Sequence, residues 1–191
     1  MIVIIQVFED FPILDGNVYN LRQVKKTDCK DIFDIYSDND AVKYEGMNPI
    51  ESIDKAKSYI DFINDGYNKK MFVRWCISDK EDDKLLGLIS LQHFDYLNAK
   101  AEVGYILNKK YWGKGIMGSN LSLVINYAFN QLNLHRLEAV IHPANIASIT
   151  LAERMGFKIE GVKKECELNL RTSNYEDRLI LGRVNKMKKV S

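Results

Sequence analysis

The stretch Y-I-L-N-K-K-Y-W-G-K-G-I-M-G-S, Tyr105 to Ser119, decides how the rest of the chain is read. An apolar run ends at Leu107 and a loop with Gly113 and Gly115 follows. From Met117 onward, Leu121, Val124, Ile125, Ala128, Phe129 and Leu132 recur at helical spacing. A strand thus passes through a glycine loop into an amphipathic helix. Glycine lets backbone amides approach a ligand closely, and a helix N-terminus adds unpaired N–H groups and a partial positive charge, so the place suits a pyrophosphate. Lys109, Lys110 and Lys114 add mobile cations. The same features also fit a tight turn rimmed by solvated lysines, and a short glycine motif does not separate the two.

Taken literally, Gly113, Gly115 and Gly118 spell G-x-G-x-x-G. The dinucleotide fingerprint should close a strand directly and place an acid at the tip of the next strand, roughly 20 residues on. Here Asn108 to Trp112 intervene, and the next strand ends in Ile141-His142. A Walker phosphate loop fails as well, because no Gly-Lys is followed by Ser or Thr.

Before this stretch, Phe72 to Ser78, Leu85 to Phe94 and Ala101 to Leu107 are rich in β-branched and aromatic residues and read as an antiparallel meander. After it, a strand over Arg136 to Ile141, a helix over about Asn145 to Met155, and strands over Phe157 to Val162 and Tyr175 to Val184 are predicted. Toward the N-terminus, Asp15-Gly16 is a two-residue hairpin signal between Ile13-Leu14 and Val18-Tyr19. A strand over Val18 to Val24 follows. Thr27 or Asp28 can cap a helix carrying Ile32, Phe33, Ile35 and Tyr36, and Ser52 can cap a second with Ala56, Tyr59, Ile60 and Ile63. The order is β, α, α, three strands, then α, β, α, β, β. That is a mixed α+β domain with one βαβ crossover.

The 191 residues, 46% hydrophobic and 28% charged, make an ordinary globular chain, read as a single domain over 1–191 with its core at 14–184 and a flexible tail at 185–191. A formal charge of +1 offers no global field for nucleic acid or an anionic membrane. Cys29, Cys76 and Cys166 are odd in number and never spaced as C-x-x-C, which argues against disulfides or structural zinc and for a cytoplasmic home. Met1 to Val7 lacks a basic n-region and reads as a strand or ordered arm, and no run approaches the roughly 18 to 20 apolar residues that cross a bilayer. His93, His135 and His142 form no compact metal triad, so no metal is expected.

A second constellation is H-P-A-N-I-A-S-I-T-L-A-E-R-M-G-F, His142 to Phe157, in which Asn145 can cap a helix that Gly156 stops. Together the two stretches resemble the GNAT superfamily of acetyl-coenzyme A dependent N-acetyltransferases. The glycine loop is similar to its Q/R-x-x-G-x-G/A pyrophosphate motif, and Asn145 to Phe157 to its N-x-x-[AS] … G-F helix. Leu14 to Arg22, Ala101 to Leu107, Tyr111 to Gly115 and Gly156 to Gly161 resemble the branch that acetylates N-termini of ribosomal proteins, some members of which act on antibiotics or polyamines. Trp112 stands where the general motif has Gln or Arg, Met117 where it has Gly or Ala, and Ala152 where many members carry a tyrosine that protonates the leaving thiolate.

The resemblance implies the GNAT acyl-CoA N-acyltransferase fold, a mostly antiparallel sheet of about seven strands with flanking helices. It implies acetyl-CoA as cosubstrate, held by Ile106, Leu107, Trp112, Gly113, Lys114, Gly115, Ile116, Met117, Gly118, Ser119, Asn145 and Ser148. Transfer by direct attack in a ternary complex needs a base for the ammonium, an N–H donor for the oxyanion and a partner for the departing thiolate. Glu102 and Glu167 are alternative bases, Ser148 is the thiolate partner, and a backbone amide of Ile106 or Leu107 is the oxyanion donor. Each glutamate also fits a solvated charge or an ion pair. Tyr44, Glu45 and Phe94 line the acceptor side by the same resemblance, with Tyr59 a further candidate and core packing the rival for Tyr59 and Phe94. The acceptor is a primary amine, a protein N-terminus or a small amine such as an aminoglycoside or polyamine. A homodimer is a family expectation. A coenzyme-binding regulatory module without catalysis is the rival from another class.

Overall fold

The computed structural model describes residues 5–186. Among these, β1 (Leu14–Asp15) and β2 (Tyr19–Arg22) precede α1 (Cys29–Tyr36) and α2 (Ile53–Asn68). Then come β3 (Phe72–Asp79), β4 (Leu85–Asp95), β5 (Lys100–Leu107), α3 (Ile116–Asn130), β6 (Arg136–Ile141), α4 (Ile146–Arg154), β7 (Lys158–Asn169) and β8 (Asn174–Val184). The strands form one mixed sheet in the order β1-β2-β3-β4-β5-β6-β8-β7. All neighbours are antiparallel except β5 and β6, the pair that the α3 crossover joins. The mixed α+β fold with its single βαβ unit is as expected.

Strand alternation divides the core. Val73, Trp75 and Ile77 of β3 and Ala101, Val103 and Leu107 of β5 pack with Leu121, Val124 and Ile125 of α3 and Ile149 and Ala152 of α4. On the opposite face, Cys76, Leu88 and Ile106 meet Ile32 and Ile35 of α1 and Ala56, Ile60 and Ile63 of α2. Arg74, Glu102 and Gly104 share that second face by the same alternation.

Parallel pairing of β5 with β6 covers only Lys100↔Arg136, Ala101↔Leu137 and Glu102↔Glu138. Beyond Glu102 the strands diverge, while β5 stays paired with β4 as far as Leu107. The resulting split in the sheet is where the clefts described below open.

Several expectations are corrected. The sheet has eight strands, because two-residue β1 adds to the seven predicted. The N-terminal hairpin closes with Gly16 N–H donating to Tyr19 O, so Asn17-Val18 forms the tip instead of Asp15-Gly16. Gly16 serves close approach there: a Cβ would stand 2.6 Å from Tyr19 O and 2.9 Å from Leu123 Cδ1. Of Met1 to Val7, residues 1–4 lie outside the described residues, and Gln6–Phe8 is a 3-10 turn with Val7 and Phe8 buried, so the described part is an ordered arm and no strand. Asp28 precedes α1 but does not cap it: its carboxylate takes the Lys25 N–H and the Arg22 guanidinium. Ser52 caps α2 as expected, its Oγ accepting from Lys55 N–H at 3.3 Å. β7 runs to Asn169, seven residues past Val162, held by its ladder with β8, an extension that the sequence did not show because its charged second half has no apolar alternation. Of the expected tail, residues 187–191 lie outside the described residues. No helix among the described residues is long and apolar enough to cross a membrane.

Candidate active site

The glycine loop sits at the end of β5, at the mouth of the split. Gly113 and Gly115 adopt φ of +73° and +75°, a region that a Cβ disfavours. Gly115 is also the N-cap of α3 and supplies no capping side chain. The first intrahelical bond runs from Ser119 N–H to Gly115 O, which leaves the amides of Ile116, Met117 and Gly118 pointing out of the helix end. Trp112 anchors the loop, its indole Nε1–H donating to Leu107 O at 2.8 Å. These amides and the helix dipole form a cradle for a pyrophosphate.

A cleft of about 340 Å³ leads from this loop into the split. Ten of the predicted coenzyme residues line it: Ile106, Leu107, Trp112, Gly113, Gly115, Ile116, Met117, Gly118, Asn145 and Ser148. Lys114 and Ser119 do not. Lys114 lies over the Tyr111 ring, and Ser119 Oγ bonds back to Ile116 O. The sequence reading missed Asp40, Ala41, Tyr105, Tyr111, Ala147 and Leu151, which complete the wall together with Tyr44 and Glu45, expected on the acceptor side. Helical spacing of Ala147 and Leu151 was the available signal for α4.

A second cleft of about 300 Å³ opens on the other side of the split and brings Glu102, Ser148 and Glu167 together with Tyr44 and Glu45. Glu102 Oε1 accepts from Gln92 Nε2 at 2.9 Å, and its Oε2 lies 3.2 Å from His93 Nδ1. His93 reaches it from a bulge in β4, at φ +51°. Glu167 Oε2 accepts from Arg178 Nε at 2.8 Å. Arg178 is 2% exposed and also donates to Glu176, and its Nη2 has no hydrogen-bond partner. His142 stacks on Tyr44, and its Nδ1 accepts from Ala144 N–H, so the ring proton sits on Nε2, facing Glu176 at 3.5 Å. Arg178 and His142 were absent from the predicted site because only the sheet order brings β8 and the end of β6 beside β5.

Phe94 lies outside these clefts. It stacks on Tyr96 and meets Phe8 edge-on, the core packing that rivalled its acceptor role. Tyr59 lines a third cavity instead. Ala152 is 1% exposed and packs in the core, so the position where family members carry a tyrosine does not face the cleft. A phenol that lines both clefts belongs to Tyr105, whose hydroxyl donates to Ser148 O at 3.0 Å. Burial pushes its pKa up and keeps the hydroxyl protonated.

Charge in the second cleft is mixed. Glu45 is exposed where the three cavities meet, with protein close around its carboxyl. That desolvation raises its carboxyl above the usual range, against the pull of Arg74 and Arg178 and with the push of Glu167. Burial also pushes Glu176 up, but hydrogen bonds from Asn169 and Arg178 outweigh it and hold the carboxyl below its ordinary value. The amides of β5 alternate too. Asn108 N–H donates to Leu86 O on β4, so the Ile106 amide points toward β4 and the Leu107 and Tyr105 amides point into the split. No group of His, Cys, Asp and Glu among the described residues could hold a metal.

A glycine loop opening a helix at a split between parallel strands is the geometry that the resemblance implied. Residues 19–158 match the family model described as an acetyltransferase (GNAT) domain. The chain belongs to the GNAT acetyltransferase family. This GNAT chain is 34% identical over 155 residues to the uncharacterized N-acetyltransferase YoaA of Bacillus subtilis, covering 81% of this chain and 88% of that protein. It is 25% identical over 142 residues to the spermidine N(1)-acetyltransferase of Escherichia coli (strain K12), covering 74% and 73% of the two chains. Its fold matches that of RimL, ribosomal L7/L12 alpha-N-protein acetyltransferase in complex with coenzyme A, at a TM-score of 0.78 with 18% identity, covering 93% of this chain and all of that one. The protein is an N-acetyltransferase that uses acetyl-CoA as acetyl donor.

Proposed function

We propose that this acetyltransferase modifies the terminal α-amine of a protein or peptide, of the ribosomal-protein type, by direct attack in a ternary complex. The carrying observation is Arg178, a guanidinium set among the carboxylates of the acceptor cleft. A peptide N-terminus brings one ammonium, for Glu45, Glu102 and Glu167, followed by carbonyl oxygens that tolerate a nearby cation. A polyamine brings further positive charges into the same space, where Glu167 is already paired with Arg178 and has less charge left to meet them.

In this reading the coenzyme lies along the glycine loop with its thioester in the split. The Leu107 amide, which points there, takes the oxyanion role, and Ser148 partners the thiolate. Glu102 is the base. Its partners are an amide and an imidazole, whereas a proton taken by Glu167 would strip buried Arg178 of a counter-charge. His93, exposed on the far side of Glu102, gives the proton a route to solvent. The three free cysteines suit a cytoplasmic acceptor of this kind. The proposal includes a homodimer, for which edge strand β7 exposes Ile159, Val162 and Leu168.

Thiol release from acetyl-CoA, followed across N-terminal peptides, polyamines and aminoglycosides with coenzyme binding measured by calorimetry, tests the reading. Turnover confined to peptides is expected, and Glu102→Gln then lowers kcat by about 10²–10⁴ while Glu167→Gln lowers it less. Turnover confined to polyamines or aminoglycosides overturns the acceptor assignment. Coenzyme binding without turnover on any amine would favour a regulatory module.

A further inference from the structure

A third cavity, of about 120 Å³, continues from the acceptor cleft on the face covered by α1 and α2. It shares Glu45, Gln92, Gly104 and Tyr105 with that cleft. Gly104 pairs with Ser90 across β4 and β5, and a Cβ at Gly104 would stand 3.1 Å from Ser90 Oγ. A side chain at residue 104 would therefore narrow the passage between the two spaces.

The far wall is built from Arg74, Tyr59 and Tyr36. Arg74 Nη1 donates to Tyr59 OH at 2.7 Å, and Tyr59 OH bonds Tyr36 OH at 2.9 Å. A guanidinium has no acceptor, so Arg74 must donate to Tyr59, and the Tyr59 hydroxyl in turn donates to Tyr36. With Tyr59 donating, the Tyr36 hydroxyl has no hydrogen-bond acceptor for its own proton among the described residues. Arg74 makes no ion pair with a carboxylate among those residues, and its remaining N–H groups have no partner there. The guanidinium is held over the faces of Phe72 and Tyr59, at 5.0 and 6.0 Å. Donors without acceptors thus converge on a small space whose entrance carries Glu45.

We infer that this cavity is the subsite for an acidic side chain on the acceptor's terminal residue, an aspartate or glutamate whose carboxylate takes the free N–H groups of Arg74 and the hydroxyl of Tyr36. The inference rests on the N-terminal amine reading above. It divides the acceptor's two charges: the ammonium faces the carboxylates of the second cleft, and the side-chain carboxylate passes over Gly104 to Arg74. Arginine suits this task because its planar fork meets a carboxylate with two parallel hydrogen bonds. The volume holds several waters or one short side chain. A first-residue lysine would place a second cation against Arg74.

The test uses peptides identical except at the first residue, in the pairs Asp against Asn and Glu against Gln. The expected result for the natural protein is a kcat/KM at least tenfold higher for the acid of each pair. Arg74→Gln collapses the acid-to-amide ratio to about unity, and Arg74→Lys, which keeps the charge and loses the fork, leaves an intermediate ratio. Tyr36→Phe lowers the ratio without abolishing it. Equal kcat/KM for the acid and amide peptides, or a preference that survives Arg74→Gln, overturns the inference.

Calorimetric binding of the same peptides to the coenzyme A-loaded protein separates this outcome from failure of the wider reading. Acid-selective binding that depends on Arg74, with no peptide acetylated, sinks the N-terminal acetylation reading and upholds the subsite. Acetylation of peptides without acid preference does the reverse.

Discussion

Gly115→Ala isolates what the glycine loop contributes. Residue 115 sits at φ +75°, and a Cβ placed there would meet nothing within 4 Å, so the penalty is conformational and not steric. Holding an ordinary L-residue in that region costs about 1–2 kcal/mol. In a domain of this size that is a fall in Tm of about 2–8 °C. If the strain is relieved by rotating the loop, the amides of Ile116 to Gly118 lose their aim, and the same 1–2 kcal/mol weakens coenzyme A binding by about 5–30-fold. Gly118 supplies the internal control. It is the third residue of α3, has no positive φ, and its Cβ would stand 3.5 Å from Leu151 Cδ1 and 3.9 Å from Met155 Cε, ordinary contacts. Gly118→Ala is therefore expected to leave Tm unchanged or raise it, by up to about 1 kcal/mol of helix propensity. Gly115→Asn, with a side chain that tolerates the left-handed region, falls between. Differential scanning calorimetry of the free protein, with titration calorimetry for coenzyme A, reads all three. Equal losses in Gly115→Ala and Gly115→Asn, or a loss in Gly118→Ala as large as that in Gly115→Ala, would refute the conformational argument.

Two further outcomes concern stability. The raised carboxyl of Glu45 keeps a proton in the folded state that the unfolded chain releases near pH 4.5, so its contribution is present below that pH and lost as pH rises through the folded value. Glu176 behaves oppositely: its lowered carboxyl contributes above the unfolded value near 4.5 and loses that contribution as pH falls. Between pH 4 and pH 7, Glu45→Gln should then gain Tm relative to the natural protein and Glu176→Gln should lose it, and parallel shifts in the two variants would show the assignment wrong. Separately, Asp28→Asn removes the charge that buried Arg22 meets through two hydrogen bonds of 2.8 and 2.9 Å. With Asp83 still on the guanidinium, the cost should be near the low end for a broken buried pair, about 3 kcal/mol, and urea unfolding with an unchanged m-value would check it.

Legibility in the sequence followed the physical range of each signal. β6 was predicted residue for residue, since Arg136 to Ile141 alternates and is bounded by a helix and by His142-Pro143. Most of the first cleft's lining was legible because its loop and the start of α3 are contiguous in sequence, and a local motif carries its own geometry. The second half of β7 was not. It is exposed as far as Leu168, so neither period marks it, and only its ladder with β8 makes it a strand. Arg74, Arg178 and His142 were missed for a related reason. Nothing near Arg74 announces that strand alternation and the β4–β5 register will set it beside Gly104, and nothing near Arg178 places it against Glu167, eleven residues back along the hairpin. Phe94 shows the converse error, an aromatic at a plausible position whose partners Phe8 and Tyr96 claim it for the core.

The short parallel seam between β5 and β6 has a consequence for how long the molecule survives. Three residue pairs join the two half-sheets directly, the core packing of α3 and α4 ties them from one side, and on the reading proposed above the coenzyme would lie across the gap. A ligand that bridges such a gap in the folded state and finds no site in the unfolded chain adds stability by mass action, about 2.7 kcal/mol at a hundredfold excess over its Kd. The donor thus acts as a keystone as well as a reagent. With the coenzyme so placed, opening of the seam, and with it cleavage by proteases, would become rarer as acetyl-CoA is supplied, so the reagent the enzyme spends would also guard it.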